Sequence, residues 1–445
     1  MTERKRFKQL VRARMAGTGE RYAAARRQII GAEADLIVQP KSPFVHFPGS
    51  IPAPTALRIV LANAGVHAPH TGAPFTEAMT FGIGGGIGAG VFSFHYAKED
   101  FSSFFVAGRH LWQDDHAWFA AALKRLGAKP VVQEAGGAKA AETNLAEMLE
   151  GGRPVVAWLD AASLPYRGLP EGWAGGGYHL LVVYAIDGAE AVVGDLADEP
   201  IRVPLADLTR ARLRINKFKS RLLAVEPGSK SPPLDALVRG GIRACIDGLT
   251  KGKMKNFTLD AFSTWAERLS GSKAADSWAR IFQRGRHLYT GLWSIHQFVD
   301  CYYTGGGLCR PMFAEFLAEA GDALRDPRLT RASERYADLG RGWSALAEEA
   351  LPAGVPAFRK AAEALARLGE LYHADGAAAT GDIRQCWAEI DGIGSKIGKE
   401  FPLGLAECDA LLRDLQARVR ALHAEETAAL QELQSVVNVE ASSPT

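Results

Sequence analysis

No cysteine occurs in the first 244 of the 445 residues. All five thiols follow, at Cys245, Cys301, Cys309, Cys386 and Cys408, and no two form a CxxC pair. This usage excludes a disulfide framework, signals no structural zinc site, and fits free thiols in a reducing compartment. Runs of about eighteen apolar residues are also missing, which excludes a membrane-spanning helix and makes membrane insertion unexpected. The opening Thr2-Glu3-Arg4-Lys5-Arg6-Phe7-Lys8 lacks the apolar core of a secretory signal, so a cytoplasmic location is the expectation. The histidines show no metal-ligand spacing. His67 and His70 stand three apart in a Pro/Gly-rich loop, and His46, His95, His110 and His116 are scattered. A zinc hydrolase would need a helical pair or a third ligand at a recognisable interval. No metal and no cofactor is expected.

Neither sign of charge dominates, with 52 Lys/Arg against 50 Asp/Glu, but the distribution is uneven. Residues 1–31 hold nine Lys/Arg and two Asp/Glu, a charge of +7 that leaves −5 on the rest. An apolar content of 47% with 23% charged residues is ordinary for globular chains and excludes disorder over most of the length. Periodicity and breakers predict five stretches. Residues 1–40 read as a basic arm of two short helices, and 41–226 as a mixed α/β domain. The Pro/Gly/Ser-rich 227–233 is a linker, 234–437 is all-helical, and 438–445 is a disordered tail.

Within the α/β domain, 55–65 reads as a helix stopped by Gly65, 118–127 as a second, and 75–79 as the start of a short third. Val155-Val-Ala-Trp-Leu159 reads as a buried strand, and 221–225 as the last strand. The runs 179–185 and 191–195, joined by Asp187-Gly188, predict a β-hairpin. In the helical region, Leu412, Leu415, Val419, Leu422, Leu430 and Leu433 mark one long amphipathic helix, interrupted by Glu426. That stripe suits either a homodimer seam or packing within the chain.

The hairpin carries the sharpest chemistry. It sets His179 beside the end of the partner strand, where Asp195 stands. A carboxylate there fixes the imidazole tautomer and leaves the other nitrogen as a base; the alternative is a satisfied buried histidine beside a turn residue. No nucleophile presents itself. A thiol at a helix N-terminus would have its pKa lowered, but the stretch before the 55–65 helix offers only Ser50 and Thr55 as hydroxyls. Thr55 also reads as a helix cap. Among three glycine clusters, 82–90 superficially resembles a dinucleotide loop, but no apolar strand precedes it. Close backbone approach at Gly85 and Gly86, or a hinge, is the better reading. Around Gly305 to Gly307 stand Tyr302, Tyr303, Cys309 and Arg310. Arg310 is suited to a carboxylate or phosphate, or to a structural ion pair in a tight turn.

The runs Thr55-Ala-Leu-Arg through Gly65, Phe75-Thr-Glu-Ala-Met-Thr-Phe-Gly-Ile-Gly-Gly-Gly86 and Asp195-Leu-Ala-Asp-Glu-Pro200 resemble the N-terminal domain of the butirosin-biosynthesis protein H family. Tyr303-Thr-Gly-Gly-Gly-Leu-Cys-Arg310 and Phe313-Ala-Glu-Phe-Leu-Ala-Glu-Ala320 look like its helical C-terminal domain. The resemblance covers about 42–420. It implies an α+β chain, with a papain-like α/β domain followed by an all-α domain. It implies acyl transfer from an acyl-carrier-protein thioester to an amine, forming an amide. By carry-over, His179 matches the catalytic histidine and Asp195 its orienting acid. The family cysteine, expected after a histidine just before the Thr-Ala-Leu helix, is absent: Ile51-Pro52-Ala53 stands there, and His46 is followed by Phe47.

Three functions stay open on these residues. In the first, His179 deprotonates the amine, which attacks the thioester without an acyl-enzyme, and backbone N–H groups at the 55–65 helix stabilise the oxyanion; Ser50 as nucleophile is a variant. His46, Thr55, Tyr178, Gly85 and Gly86 would line the substrate. In the second, the papain-like domain binds a partner without turnover. In the third, chemistry moves to Cys309 and Arg310. The basic arm would suit an acidic partner such as an acyl carrier protein, or would pack on the body as a solvated hairpin.

Overall fold

The computed structural model describes residues 3–22, 25, 28, 44–108 and 114–438. The architecture is α+β, in two compact units. One comprises Met1–Gly84, Asp114–Leu237 and Arg367–Trp387; the other comprises Gly85–Gln113, Val238–Ala366 and Ala388–Thr445. Among the described residues no helix is long and apolar enough to cross a membrane. The second helix expected in the basic arm falls largely outside the described residues, as do His110 and most of the C-terminal tail.

In the first unit, α1 (Glu3–Thr18) packs Val11 and Met15 with Tyr22 and Ala25. Helix α2 (Pro52–Asn63) starts three residues before the expected Thr55, because Pro52 and Pro54 supply the fixed φ that suits a first helical turn. It ends as read, with Gly65 at φ +72°. The Thr76 hydroxyl accepts from the Met79 N–H and so caps α3 (Glu77–Ile83), and the Asp114 carboxylate caps α4 (Asp115–Arg125) through the Ala117 N–H.

Strands β1 (Val91–Tyr96) and β2 (Phe101–Val106), not foreseen in the sequence, pair as an antiparallel hairpin in the second unit. The main sheet lies in the first unit. It comprises β3 (Lys129–Gln133), β4 (Val155–Asp160), β5 (Tyr178–Asp187), β6 (Glu190–Gly194), β7 (Ile201–Pro204) and β8 (Leu222–Glu226), in antiparallel order β3-β8-β4-β5-β6-β7. Its interior strand β4 is buried along its whole length, which its apolar, Val-rich run allows. Helices α5 (Ala138–Glu150) and α6 (Leu205–Arg214) complete the connections. The β5–β6 hairpin is tighter than read: Asp187 pairs with Glu190, leaving a two-residue turn with Gly188 at φ +61°.

Residues 227–233 hold no helix or strand. Beyond them run α7 (Leu234–Thr250), α8 (Asp260–Leu269), α9 (Trp278–Ile281), α10 (Arg286–His296), α11 (Arg310–Leu324), α12 (Pro327–Ala350), α13 (Pro356–Asp375), α14 (Thr380–Lys399) and α15 (Leu405–Asn438). The stripe of α15 is spent inside the second unit, where Leu415, Val419, Leu422 and Leu433 are buried. Glu426, which breaks that stripe, is buried as well. Its Oε1 accepts from Arg310 Nε at 2.5 Å and from Trp343 Nε1 at 2.8 Å. The turn before α11 is strained, with Tyr303, Leu308 and Cys309 all at positive φ. Gly307 has no alternative there, because a Cβ would lie 2.5 Å from the Gly340 carbonyl.

The Arg310–Glu426 pair yields a stability prediction. Arg310→Met or Glu426→Leu alone leaves one buried charge without its counter-charge and should cost about 3–5 kcal/mol, whereas the double variant should recover most of that loss. Denaturant unfolding of the three variants checks this; two single losses that simply add would contradict it.

Candidate active site

The site grows from the sheet register. His179 pairs with Leu159 of β4, and Val182 of the same strand pairs with Gly194, the last residue of β6. Asp195 therefore leaves β6 beside the start of β5. His179 Nε2 lies 2.8 Å from Asp195 Oδ1 and 2.9 Å from Oδ2. Between β4 and β5, residues 161–177 form a loop with three short 3-10 turns, at Ala161–Ser163, Pro165–Arg167 and Glu171–Trp173. Asp160 pins its ends: Oδ1 accepts from the Gly175 N–H at 2.8 Å and Oδ2 from the Ser163 hydroxyl at 2.5 Å.

That loop brings Tyr166 and Arg167 to the pair, and α13 brings Tyr372. Asp195 Oδ2 accepts from the Tyr166 hydroxyl at 2.6 Å and the Tyr372 hydroxyl at 2.7 Å; Oδ1 accepts from the Leu196 N–H at 2.8 Å. Arg167 Nη1 lies 2.9 Å from His179 Nε2 and 3.6 Å from Asp195 Oδ2, and it donates to the Tyr372 hydroxyl. The side chains of His179, Asp195 and Arg167 are all at least 95% buried.

Burial governs the electrostatics. For His179 it disfavours the imidazolium, Arg167 adds to that, and together they outweigh Asp195, so the pKa lies below the ordinary 6.5. For Asp195 burial acts upward, but His179, Arg167 and the Tyr166 hydroxyl outweigh it, and the carboxyl titrates well below its usual range. Tyr166 and Tyr372 are pushed well above 10, first by burial, so both remain hydroxyl donors. At neutral pH the cluster is a neutral imidazole beside a compensated Arg⁺/Asp⁻ pair. A neutral imidazole oriented by a carboxylate can act as a base.

The N-terminus of α2 differs from expectation. Glu77 Oε1 accepts from the backbone N–H groups of Ser50 and Ile51, each at 2.8 Å, and lies 2.9 Å from Thr55 Oγ1. The donors expected to stabilise an oxyanion therefore already hold an internal carboxylate, which a helix N-terminus favours for the same reason. Thr55 lies inside the first turn rather than at the cap, and its hydroxyl donates to the Ile51 carbonyl.

The other expected site residues take separate places. His46 bonds the Tyr184 hydroxyl through Nδ1 at 2.8 Å and the Ala197 carbonyl through Nε2 at 3.1 Å. Gly194 makes room for that tyrosine, since a Cβ would lie 2.3 Å from its hydroxyl. Ser50 is buried. The Tyr178 hydroxyl donates to Asp115 at 2.6 Å. Gly85 and Gly86 belong to the second unit, where a Cβ on Gly86 would strike the Phe313 ring at 2.4 Å. Cys309 and Arg310 are fully buried in that unit, with Arg310 committed to Glu426. Sequence reasoning missed Tyr166, Arg167, Tyr372 and Glu77. Tyr166-Arg167, only twelve residues before His179, was within reach; nothing local marks Tyr372.

Two family models match the chain. Residues 53–196 match "Butirosin biosynthesis protein H, N-terminal", and residues 206–377 match "Domain of unknown function (DUF4872)". Among curated proteins, none matches the chain. The N-terminal match contains both His179 and Asp195, and the two matched domains follow one another in order. The chain thus carries a papain-like butirosin-biosynthesis-protein-H N-terminal domain followed by the domain of unknown function, an order that matches a butirosin-biosynthesis-protein-H-like family.

Proposed function

We propose that the chain is an acyltransferase that forms an amide, moving an acyl group from a carrier thioester to a small-molecule amine. The carrying observation is the 2.8 Å approach of Asp195 to His179 Nε2. A proton on Nε2, directed at that carboxylate, leaves Nδ1 as the basic nitrogen. His179 takes a proton from the acceptor amine as its nitrogen attacks the thioester carbonyl. The tetrahedral intermediate then collapses, the C–S bond breaks, and the imidazolium returns the proton to the departing thiolate. The products are an amide and a thiol, and no acyl-enzyme is required. The absence of a cysteine before α2 agrees with this direct route. Because His179 is enclosed, the reading requires the 161–177 loop to yield when substrate enters.

A second reading, a papain-like protein that binds without turnover, draws on the same enclosure and the same missing thiol. Turnover separates the two. Amide formation, followed by mass spectrometry with an acyl-phosphopantetheinyl carrier protein and a panel of amines, should fall about 10²–10⁴-fold in His179→Ala. Turnover equal in wild type and variant would remove the base, and binding with no turnover in wild type would favour the second reading.

The +7 stretch at 1–31 supplies the docking charge for an acidic carrier protein in this scheme. Deleting 1–31 should weaken carrier binding measured by calorimetry at low salt and abolish its salt dependence. Unchanged affinity would place docking elsewhere.

A further inference from the structure

The partners of His179 Nε2 ask for opposite protonation states. Asp195 offers only acceptors, at 2.8 and 2.9 Å, and needs a proton on Nε2. Arg167 Nη1 offers only donors, at 2.9 Å, and needs a bare nitrogen. One ring nitrogen cannot serve both. A neutral imidazole carries one proton, so the partner that wins Nε2 decides which nitrogen stays basic. With Asp195 the proton sits on Nε2 and Nδ1 is the base. With Arg167 the proton moves to Nδ1, which then has no lone pair for a substrate.

Neither outcome strands a buried charge. Without the imidazole proton, Asp195 keeps three donors: the Tyr166 hydroxyl, the Tyr372 hydroxyl and the Leu196 N–H. Without Nε2, Arg167 keeps the Tyr372 hydroxyl as an acceptor, lies over its ring at 4.5 Å and sits 3.6 Å from Asp195. An unmet buried charge is what would make one state prohibitive, and both states avoid it. The buried tyrosines do not titrate in the working range, so they donate in both states.

We infer that Arg167 is a positioning residue that competes with Asp195 for His179 Nε2 and thereby sets the fraction of the histidine in its base-competent tautomer. This rests on the reading of His179 as the base. The residue acts on rate through the histidine, so its effect is visible in the histidine itself.

Imidazole ¹⁵N chemical shifts distinguish the two tautomers. In ¹⁵N-histidine-labelled full-length protein, with His179→Gln used for assignment, spectra are taken at mildly alkaline pH where the ring is neutral. Wild-type His179 should give shifts intermediate between the tautomers, and Arg167→Met should move them to those of a ring protonated wholly at Nε2. A single pure tautomer in wild type overturns the inference without any variant, so it stays testable if Arg167→Met does not fold. Unmoved shifts in a folded Arg167→Met overturn it too. Intermediate shifts that move as expected, with amide formation indifferent to His179→Ala, would sink the base and leave the competition standing.

Discussion

A carboxylate buried among apolar strands has to be met by donors, and Asp195 draws its donors from four separated parts of the chain. Tyr166 comes from the loop after β4, His179 from β5, Leu196 from the next position in the chain, and Tyr372 from α13, while Arg167 of the same loop adds an opposite charge 3.6 Å away. Leaving such a charge unmet costs several kcal/mol. That cost fixes the path of the 161–177 loop over His179 and holds the end of α13 within the α/β unit. The neutrality of His179 follows from the same arrangement, since the enclosure that orients the ring also removes the water that would stabilise its charge.

The same constraint recurs elsewhere. Glu77 is met by two backbone N–H groups at the start of α2, and Glu426 by Arg310 and Trp343 in the helical unit. Glu77 fills the place expected for a reaction oxyanion, whereas Glu426 takes the Arg310 guanidinium in a structural ion pair, the alternative to a substrate anion that the tight turn left open. Internal anions at such positions organise the fold, and in the proposed chemistry they leave the His179 cluster as the reacting centre.

The sequence made the strands around His179 legible because β4, β5 and β6 are apolar runs bounded by Asp187-Gly188 and Asp195, a pattern with one plausible pairing. It made the helices legible through period and caps. The β1–β2 hairpin was hidden because its Phe/Ser alternation lies between glycine-rich and polar stretches that gave no turn signature. Tyr372 was hidden for a stronger reason: it reaches Asp195 across 177 residues of chain, and no local rule encodes so distant a hydrogen bond. Glu426 was visible only as a flaw in an apolar stripe, and its partner Arg310 explains the flaw.

The account depends on His179 being a neutral imidazole, oriented by Asp195 and kept from charging by burial and Arg167. Titrating the His179 ring by its carbon-bound proton resonance in the intact protein tests this directly. The account predicts a midpoint below 6.5, with the native state losing stability relative to the unfolded chain as pH falls through that value, because the unfolded chain then binds the proton more readily. A midpoint at or above 6.5 would mean that Asp195 dominates the ring's charge, and would contradict it.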